Sequence, residues 1–265
     1  MESGFASRCL SKIMSRLSSC KTIAFDSDKP PWARSCLERS FGVRFQRSIA
    51  QSKTSVLFVQ RLLQLTLGAA VIHRLTVETL DIRIGFCIDN SYCTLLDMLP
   101  RLPGPITSLS RLSLVFHHHF KNNKLQKFIN YFPNVSDLTL ELYSVYEKDI
   151  ESSPGVLHDL YIPKLQELTL FGVECTGTEL ANLTARHSET LKNISLFWIA
   201  QPDGQSWHTI LQMLLERKVA RFSIEECLEG NEVCESIDET DRGAIMEALR
   251  GWNKGAALLA LFGCI

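Results

Sequence analysis

The run His117-His118-His119 is the first place to look for chemistry in this chain. Imidazole is a good zinc ligand, and three in a row could offer two donors. Adjacent residues on an extended strand point to opposite faces, so a preorganised three-ligand site would need carboxylates or thiols from elsewhere. The expected setting is a loop at a strand end, and no metal ligand is assigned. Nine cysteines (Cys9, Cys20, Cys36, Cys87, Cys93, Cys175, Cys227, Cys234 and Cys264) form an odd set with no C-x-x-C pair. That is the pattern of free thiols in a reducing compartment, most of them packed as small apolar groups. Cys234 has no basic neighbours in sequence to activate its thiol. The acidic pairs Glu225-Glu226 and Asp238-Glu239 fit a solvated cap or tail. The chain contains no G-x-S-x-G, H-E-x-x-H, G-x-x-x-x-G-K-[ST] or G-x-G-x-x-G motif. No catalytic or cofactor-binding residue is assigned, no cofactor is expected, and the chain is read as a non-enzyme.

Length and composition set the class. The chain has 265 residues, 45% hydrophobic and 22% charged, as a globular protein does. A net charge of -1 removes the electrostatic case for nucleic acid and for charge-driven attachment to a membrane. The most apolar run, Val56 to Ile72, is interrupted by Gln60, Arg61 and Gln64 and reads as a buried helix rather than a span. The tail Ala256 to Ile265 is too short to cross a bilayer. Residues Ala6 to Leu17 place Arg8, Lys12 and Arg16 among serines, as mitochondrial presequences do. Leu10, Ile13, Met14 and Leu17 share one face there, so the segment is assigned to a helix of the first repeat.

A repeated strand pattern, apolar-x-x-apolar-x-apolar, organises the rest. It appears as Leu109-x-x-Leu112-x-Leu114, Val135-x-x-Leu138-x-Leu140, Leu165-x-x-Leu168-x-Leu170, Leu191-x-x-Ile194-x-Leu196 and Val219-x-x-Phe222-x-Ile224. The leading positions 109, 135, 165, 191 and 219 are 26, 30, 26 and 28 residues apart. Weaker copies are read at Cys20-x-x-Ile23-x-Phe25 and Ile72-x-x-Leu75-x-Val77. Helical stretches fall between them: Pro31 to Ser40, Val56 to Ile72, Tyr92 to Leu99, Lys121 to Phe132, the segment opened by the capping box Thr176-x-x-Glu179, and one capped by Ser206 that carries Ile210, Leu211, Leu214 and Leu215. Pro133 and Pro163 each stand two residues before a strand pattern, where proline ends a helix and its missing donor is not needed. A fixed period of this length implies an α/β leucine-rich-repeat-like solenoid, irregular, with parallel strands on the concave face and helices on the convex one. The alternatives are a compact, doubly wound α/β enzyme domain without a recognisable catalytic motif, or a truncated product without independent function. The solenoid is placed at 1–228 and a capping segment or tail at 229–265, with 231–241 a loop and Arg242 to Trp252 a capping helix.

The x positions of such strands face away from the core. Stacked in phase, they give a middle column of small hydroxyls (Thr76, Ser113, Thr139, Thr169, Ser195 and Ser223) flanked by Arg74, Arg111, Asp137, Glu167, Asn193 and Arg221 on one side. On the other stand Glu78, Val115, Glu141, Phe171, Phe197 and Glu225. The protein-binding surface is therefore assigned to Arg111, Asp137, Glu141, Glu167, Phe171, Phe197 and Arg221: an acidic centre beside an aromatic patch, near Trp198 and Trp207, with arginines at both ends. The partner is expected to be a protein, with neither nucleic acid nor membrane involved.

The stretch from Ile162-Pro163-Lys164-Leu165 to Arg186-His187, with Leu191-Lys-Asn-Ile194-Ser-Leu196 and Gly204-Gln-Ser-Trp207-His-Thr-Ile-Leu211, resembles the repeat region of filamentous-fungal F-box proteins. Cys20-Lys-Thr-Ile-Ala-Phe25 through Pro31-Trp32, and Ser55-Val-Leu-Phe-Val59, are similar too. The resemblance covers roughly residues 5–228 and implies the substrate-recognition portion of a ubiquitin ligase component, cytoplasmic or nuclear, whose F-box would dock a cullin ligase adaptor. An F-box opening on a Leu-Pro pair is not found. The asparagine ladder of regular repeats is also missing: its positions hold His117, Tyr143, Val173, Ile199 and Cys227.

Overall fold

The computed structural model describes residues 8, 11–17, 19–26, 53–84, 102–116, 122–142, 155, 157–201, 219–225, 227–229 and 232–234. The longer strands form where two or three apolar residues alternate with polar ones, the period of a half-buried extended chain. In chain order the elements are β1 (Thr22–Asp26), α1 (Lys53–Ile72), β2 (Thr79–Ile84), β3 (Arg111–Phe116), α2 (Asn122–Ile129), β4 (Asp137–Leu142), β5 (Glu167–Phe171), α3 (Gly177–Arg186), β6 (Asn193–Phe197), β7 (Ala200–Gln201), β8 (Arg221–Glu225), β9 (Cys227–Glu229) and β10 (Glu232–Cys234). Seven strands form one sheet in the order β1-β2-β3-β4-β5-β6-β8, every pair parallel. The fold is α/β, and spatial order in this sheet follows chain order throughout.

Register is continuous across all seven strands. Ile23, Leu80, Leu112, Leu138, Leu168, Ile194 and Phe222 are aligned partners, and so are Phe25, Ile82, Leu114, Leu140, Leu170, Leu196 and Ile224. All but the half-buried Phe25 are buried. A third apolar column, Cys20, Val77, Leu109, Val135, Leu165, Leu191 and Val219, stands three residues before the first of these and packs into the same cluster. The backbone repeats with the same regularity. The carbonyl of Lys21 accepts the N–H groups of Glu78 and Thr79, that of Glu78 accepts Ser110 and Arg111, and that of Ser110 accepts Ser136 and Asp137. The carbonyls of Ser136, Gln166 and Lys192 continue the series to 166–167, 192–193 and 220–221, all at 2.7–3.1 Å. Each repeat thus hangs on one carbonyl of the repeat before it.

The helices close the same core. Leu63, Leu67 and Ala70 of α1, Leu125, Phe128 and Ile129 of α2, and Leu180 and Leu183 of α3 are buried in the cluster that holds the inward strand residues. The capping box forms as expected. Glu179 N–H donates to Thr176 Oγ1 at 3.1 Å, and Thr176 N–H donates to Glu179 Oε2 at 2.9 Å, which satisfies two of the donors a helix start leaves open. Helix α2 stops at Ile129, short of the expected Phe132. That ring is still fully buried and meets Phe128 edge-on at 4.9 Å, in the turn that precedes Pro133. Between β4 and β5, Leu157, Leu160 and Ile162 fill the core from turns.

Three expectations are corrected. The second repeat does not use Ile72-x-x-Leu75-x-Val77; its strand is Thr79–Ile84, and the copy that registers with its neighbours is Val77-x-x-Leu80-x-Ile82. Helix α1 runs to Ile72, which is 67% exposed, and the chain turns at Arg74 with φ 52° before the strand begins. Both frames have apolar residues at the right spacing, and the helix end decides between them. Second, residues 232–234 are strand, not loop: β10 pairs antiparallel with β9, and β9 pairs parallel with β7, in a small second sheet that crosses position 228. Third, among the described residues of the N-terminal apolar face only Met14 is buried, whereas Ile13 is 55% and Leu17 41% exposed; Leu10 lies outside the described residues. The histidine run, Trp207 and the stretches 31–40, 92–99, 206–215, 242–252 and 256–265 lie outside the described residues.

Candidate functional site

Because side chains alternate along a strand, fixing the leucine columns on one face fixes the remaining positions on the other. The middle column of that face runs Ala24, Asp81, Ser113, Thr139, Thr169, Ser195 and Ser223. The first flanking row is Thr22, Thr79, Arg111, Asp137, Glu167, Asn193 and Arg221; the last is Asp26, Arg83, Val115, Glu141, Phe171, Phe197 and Glu225. Arg74, Thr76 and Glu78 therefore leave the face, and Thr79, Asp81 and Arg83 take their places. Asp81 and Arg83 could not be found from the sequence once the second repeat was read five residues early.

All seven assigned residues lie on this face, in two adjacent groups. In the first row, Arg111 Nε stands 3.5 Å from Asp137 Oδ2, with the arginine side chain 70% exposed. At that distance and exposure the pair is weak. Burial, seconded by the negative charge of Glu167, pushes the Asp137 carboxyl above its ordinary range, and Arg111 opposes the shift only in part. Asn193 Nδ2 donates to Glu167 Oε1 at 3.2 Å. Arg221 is exposed at the far end of the row, four strands from Arg111, about 19 Å at ordinary strand spacing.

In the last row, Phe171 and Phe197 are register partners, half-buried, with ring centroids 6.2 Å apart and a 32° tilt. Trp198 adds a third ring, 5.0 Å from Phe171. It is 45% exposed and has φ 54°, a conformation that favours glycine. Gly172, next to Phe171 in the neighbouring strand's continuation, has φ 64° and donates its N–H to Phe197 O at 2.9 Å. Glu141 stands in register beside Phe171. Val115 departs from the open pattern at 2% exposed.

Chemically the face is a hydroxyl-lined strip with carboxylates and an aromatic shelf along its borders. At two of the asparagine-ladder positions, Val173 and Ile199, the side chains are 0% exposed, so apolar packing takes the space where side-chain amides would cap backbone.

The Arg-His pair of the resemblance proves structural. His187 is buried, its Nε2 accepts Ile162 N–H at 3.0 Å, and its Nδ1–H faces Leu183 O at 2.7 Å, which sets the neutral tautomer. Tyr161 stacks on it at 5.5 Å, and Arg186 donates to the carbonyls of Leu157 and His158. No helix among the described residues is long and apolar enough to cross a membrane. Compared with protein-family models, curated proteins and solved structures, the chain matches none.

Proposed function

We propose that the chain is a non-catalytic protein-binding module built as a leucine-rich-repeat-type solenoid, whose open sheet face is the concave contact surface. The observation that carries this is a parallel sheet with one face packed and the other largely accessible. Parallel sheets are ordinarily covered on both faces by their crossover helices, and leucine-rich stacking is the arrangement that leaves one wall free. The repeated two-donor bond to a single carbonyl, six times in succession, supports a stack of like units. Among the described strands, order without reversal provides no topological switch point, the place where doubly wound enzymes hold their ligands. Together with the resemblance of the repeats, this favours a substrate-recognition portion of an F-box-type ubiquitin ligase component, acting in cytoplasm or nucleus on a protein partner, with any contact to the cullin adaptor supplied by an F-box.

The test is affinity capture with the full chain, read by mass spectrometry, beside the double variant Phe171→Ala/Phe197→Ala. Both rings are half-buried on the open face, so the variant is expected to fold, with near-native circular dichroism, and to lose the proteins the wild type retains. An identical retained set from both chains would dismiss this face as the contact surface. Recovery of the cullin adaptor with the wild type would favour ligase membership.

A further inference from the structure

The first row of the open face keeps its charges apart. Asp137 and Glu167 are register partners on β4 and β5, and Asn193 separates Glu167 from Arg221. Glu167 and Arg221 thus stand two strands apart, about 10 Å at ordinary strand spacing. Both are exposed. Glu167 accepts a hydrogen bond from the Asn193 amide, and among the described residues neither Glu167 nor Arg221 takes part in an ion pair.

The negative end is not quenched by its one basic neighbour. Arg111 Nε lies 3.5 Å from Asp137 on a side chain that is 70% exposed, a weak contact. Burial is the largest influence on the Asp137 carboxyl, and after it the repulsion from Glu167 outweighs the attraction of Arg111. The last row of the face, with Glu141 and Phe171, lies four residues further along the strands, about 13 Å away. That distance and the span from Glu167 to Arg221 both exceed the screening length of about 8 Å at physiological salt. One border of the face therefore presents a negative place and a positive place at fixed separation.

Resting on the binding-face reading above, we propose that this row docks an extended segment of a partner protein carrying a basic residue and, three residues away, an acidic one. The basic side chain meets Glu167, with Asp137 beside it, and the acidic side chain meets Arg221. The spacing follows from geometry. A polyproline II segment rises about 3.1 Å per residue with three residues per turn, so residues three apart lie on one side, about 9 Å from each other. Such a segment makes no internal hydrogen bonds. The neighbouring middle column offers the hydroxyls of Thr139, Thr169 and Ser195, a type that both donates and accepts. Opposite charges held apart fix the segment's register and direction, and they repel segments of uniform charge at one end or the other.

The experiment selects a phage-displayed library of random linear peptides on the full chain, then titrates the enriched peptides, fluorescently labelled, against variants. The expected result is enrichment of lysine or arginine three residues from aspartate or glutamate, binding that weakens with salt, and a loss of about tenfold for Glu167→Gln and for Arg221→Ala. Both side chains are exposed, so these variants should melt with the wild type. Arg221→Glu should lose the selected peptides and bind versions in which lysine replaces the acidic residue, an exchange that a merely structural arginine would not produce. Enriched peptides that lose binding on Phe171→Ala/Phe197→Ala but lack the charge pair, or that ignore Glu167→Gln and Arg221→Ala, would overturn the charge register and leave the binding face intact. Enriched peptides indifferent to every substitution on the face, or a selection that enriches nothing, would overturn both.

Discussion

The two faces of the one sheet obey different rules. On the packed face, fourteen aligned positions from Ile23 to Ile224 hold only leucine, isoleucine and phenylalanine. On the open face the middle column is almost uniform in small hydroxyls, while the borders pass from arginine through carboxylates to aromatic rings. A buried position must fill its volume at near-crystalline density, so every repeat arrives at the same answer. An open position answers only to the pleat in its middle and to whatever touches it at its edges. Uniformity therefore reports the fold, and departures from it report the surface's individual use.

The largest expected effect tests that division directly. Leu140 is 0% exposed and in register with Leu114 and Leu170, so Leu140→Ala should cost about 3 kcal/mol of unfolding free energy. Thr139, one residue away on the other face, should cost about 1 kcal/mol or less on conversion to alanine. Urea unfolding of the two variants measures both. Equal losses would mean that the two faces are not packed differently.

A second contrast lies between the packed seam at His187 and the acidic border at Asp137, whose pKa values shift in opposite directions. Burial, with Arg186 adding to it, pushes the His187 pKa below 6.5, and only the Leu183 carbonyl resists. The unfolded chain takes up the proton first as pH falls below about 6.5, so the stability that neutral His187 contributes is present above that pH and drains away below it. A proton on Nε2 would also displace the buried Ile162 N–H that it accepts. Asp137 has a raised pKa, so its protonated form favours the fold and that contribution is lost as pH rises, but near and above 3.8. Denaturation at pH 7.5 and 5.5 should therefore isolate His187: wild type loses stability on acidification across that window, and His187→Gln shows a flatter slope. Parallel slopes would remove the seam from the pH response.

How much of this was legible follows from the same asymmetry. Leu109, Val135, Leu165, Leu191 and Val219 lead their strands because burial forces a period-two apolar signal that sequence displays openly, and all five registers hold. The capping box at Thr176 was readable because its bonds are local. The second strand was misread because Ile72, Leu75 and Val77 satisfy the pattern as well as Val77, Leu80 and Ile82 do, and only the end of α1 and the Lys21 carbonyl separate them. Non-local bonds of that kind leave no trace in spacing. The seven face residues followed from phase alone, whereas the conformation that aims Trp198 did not: nothing in Phe197-Trp198-Ile199 announces a left-handed residue.

The misread strand also supplies the smallest prediction. Where the sequence reading put Thr76, the middle column holds Asp81, between Ala24 and Ser113. Its Oδ1 is enclosed and no hydrogen-bond partner reaches it. An enclosed acceptor without a donor loses its hydration and gains nothing in return, at a cost of about 1–3 kcal/mol for a neutral group and more for a charged one. Five of the seven positions in this column are serine or threonine, so serine fits the pleat and its neighbours. Asp81→Ser should accordingly stabilise the protein by about 1 kcal/mol, raising the melting temperature by about 2–4 °C for a chain of this size. Asp81→Asn, which keeps an oxygen of the same shape in the same place, should gain less. If serine lowered the melting temperature, the carboxylate would have to be holding a neighbour in position, and the middle column would join the borders as a place where departures from uniformity have a purpose.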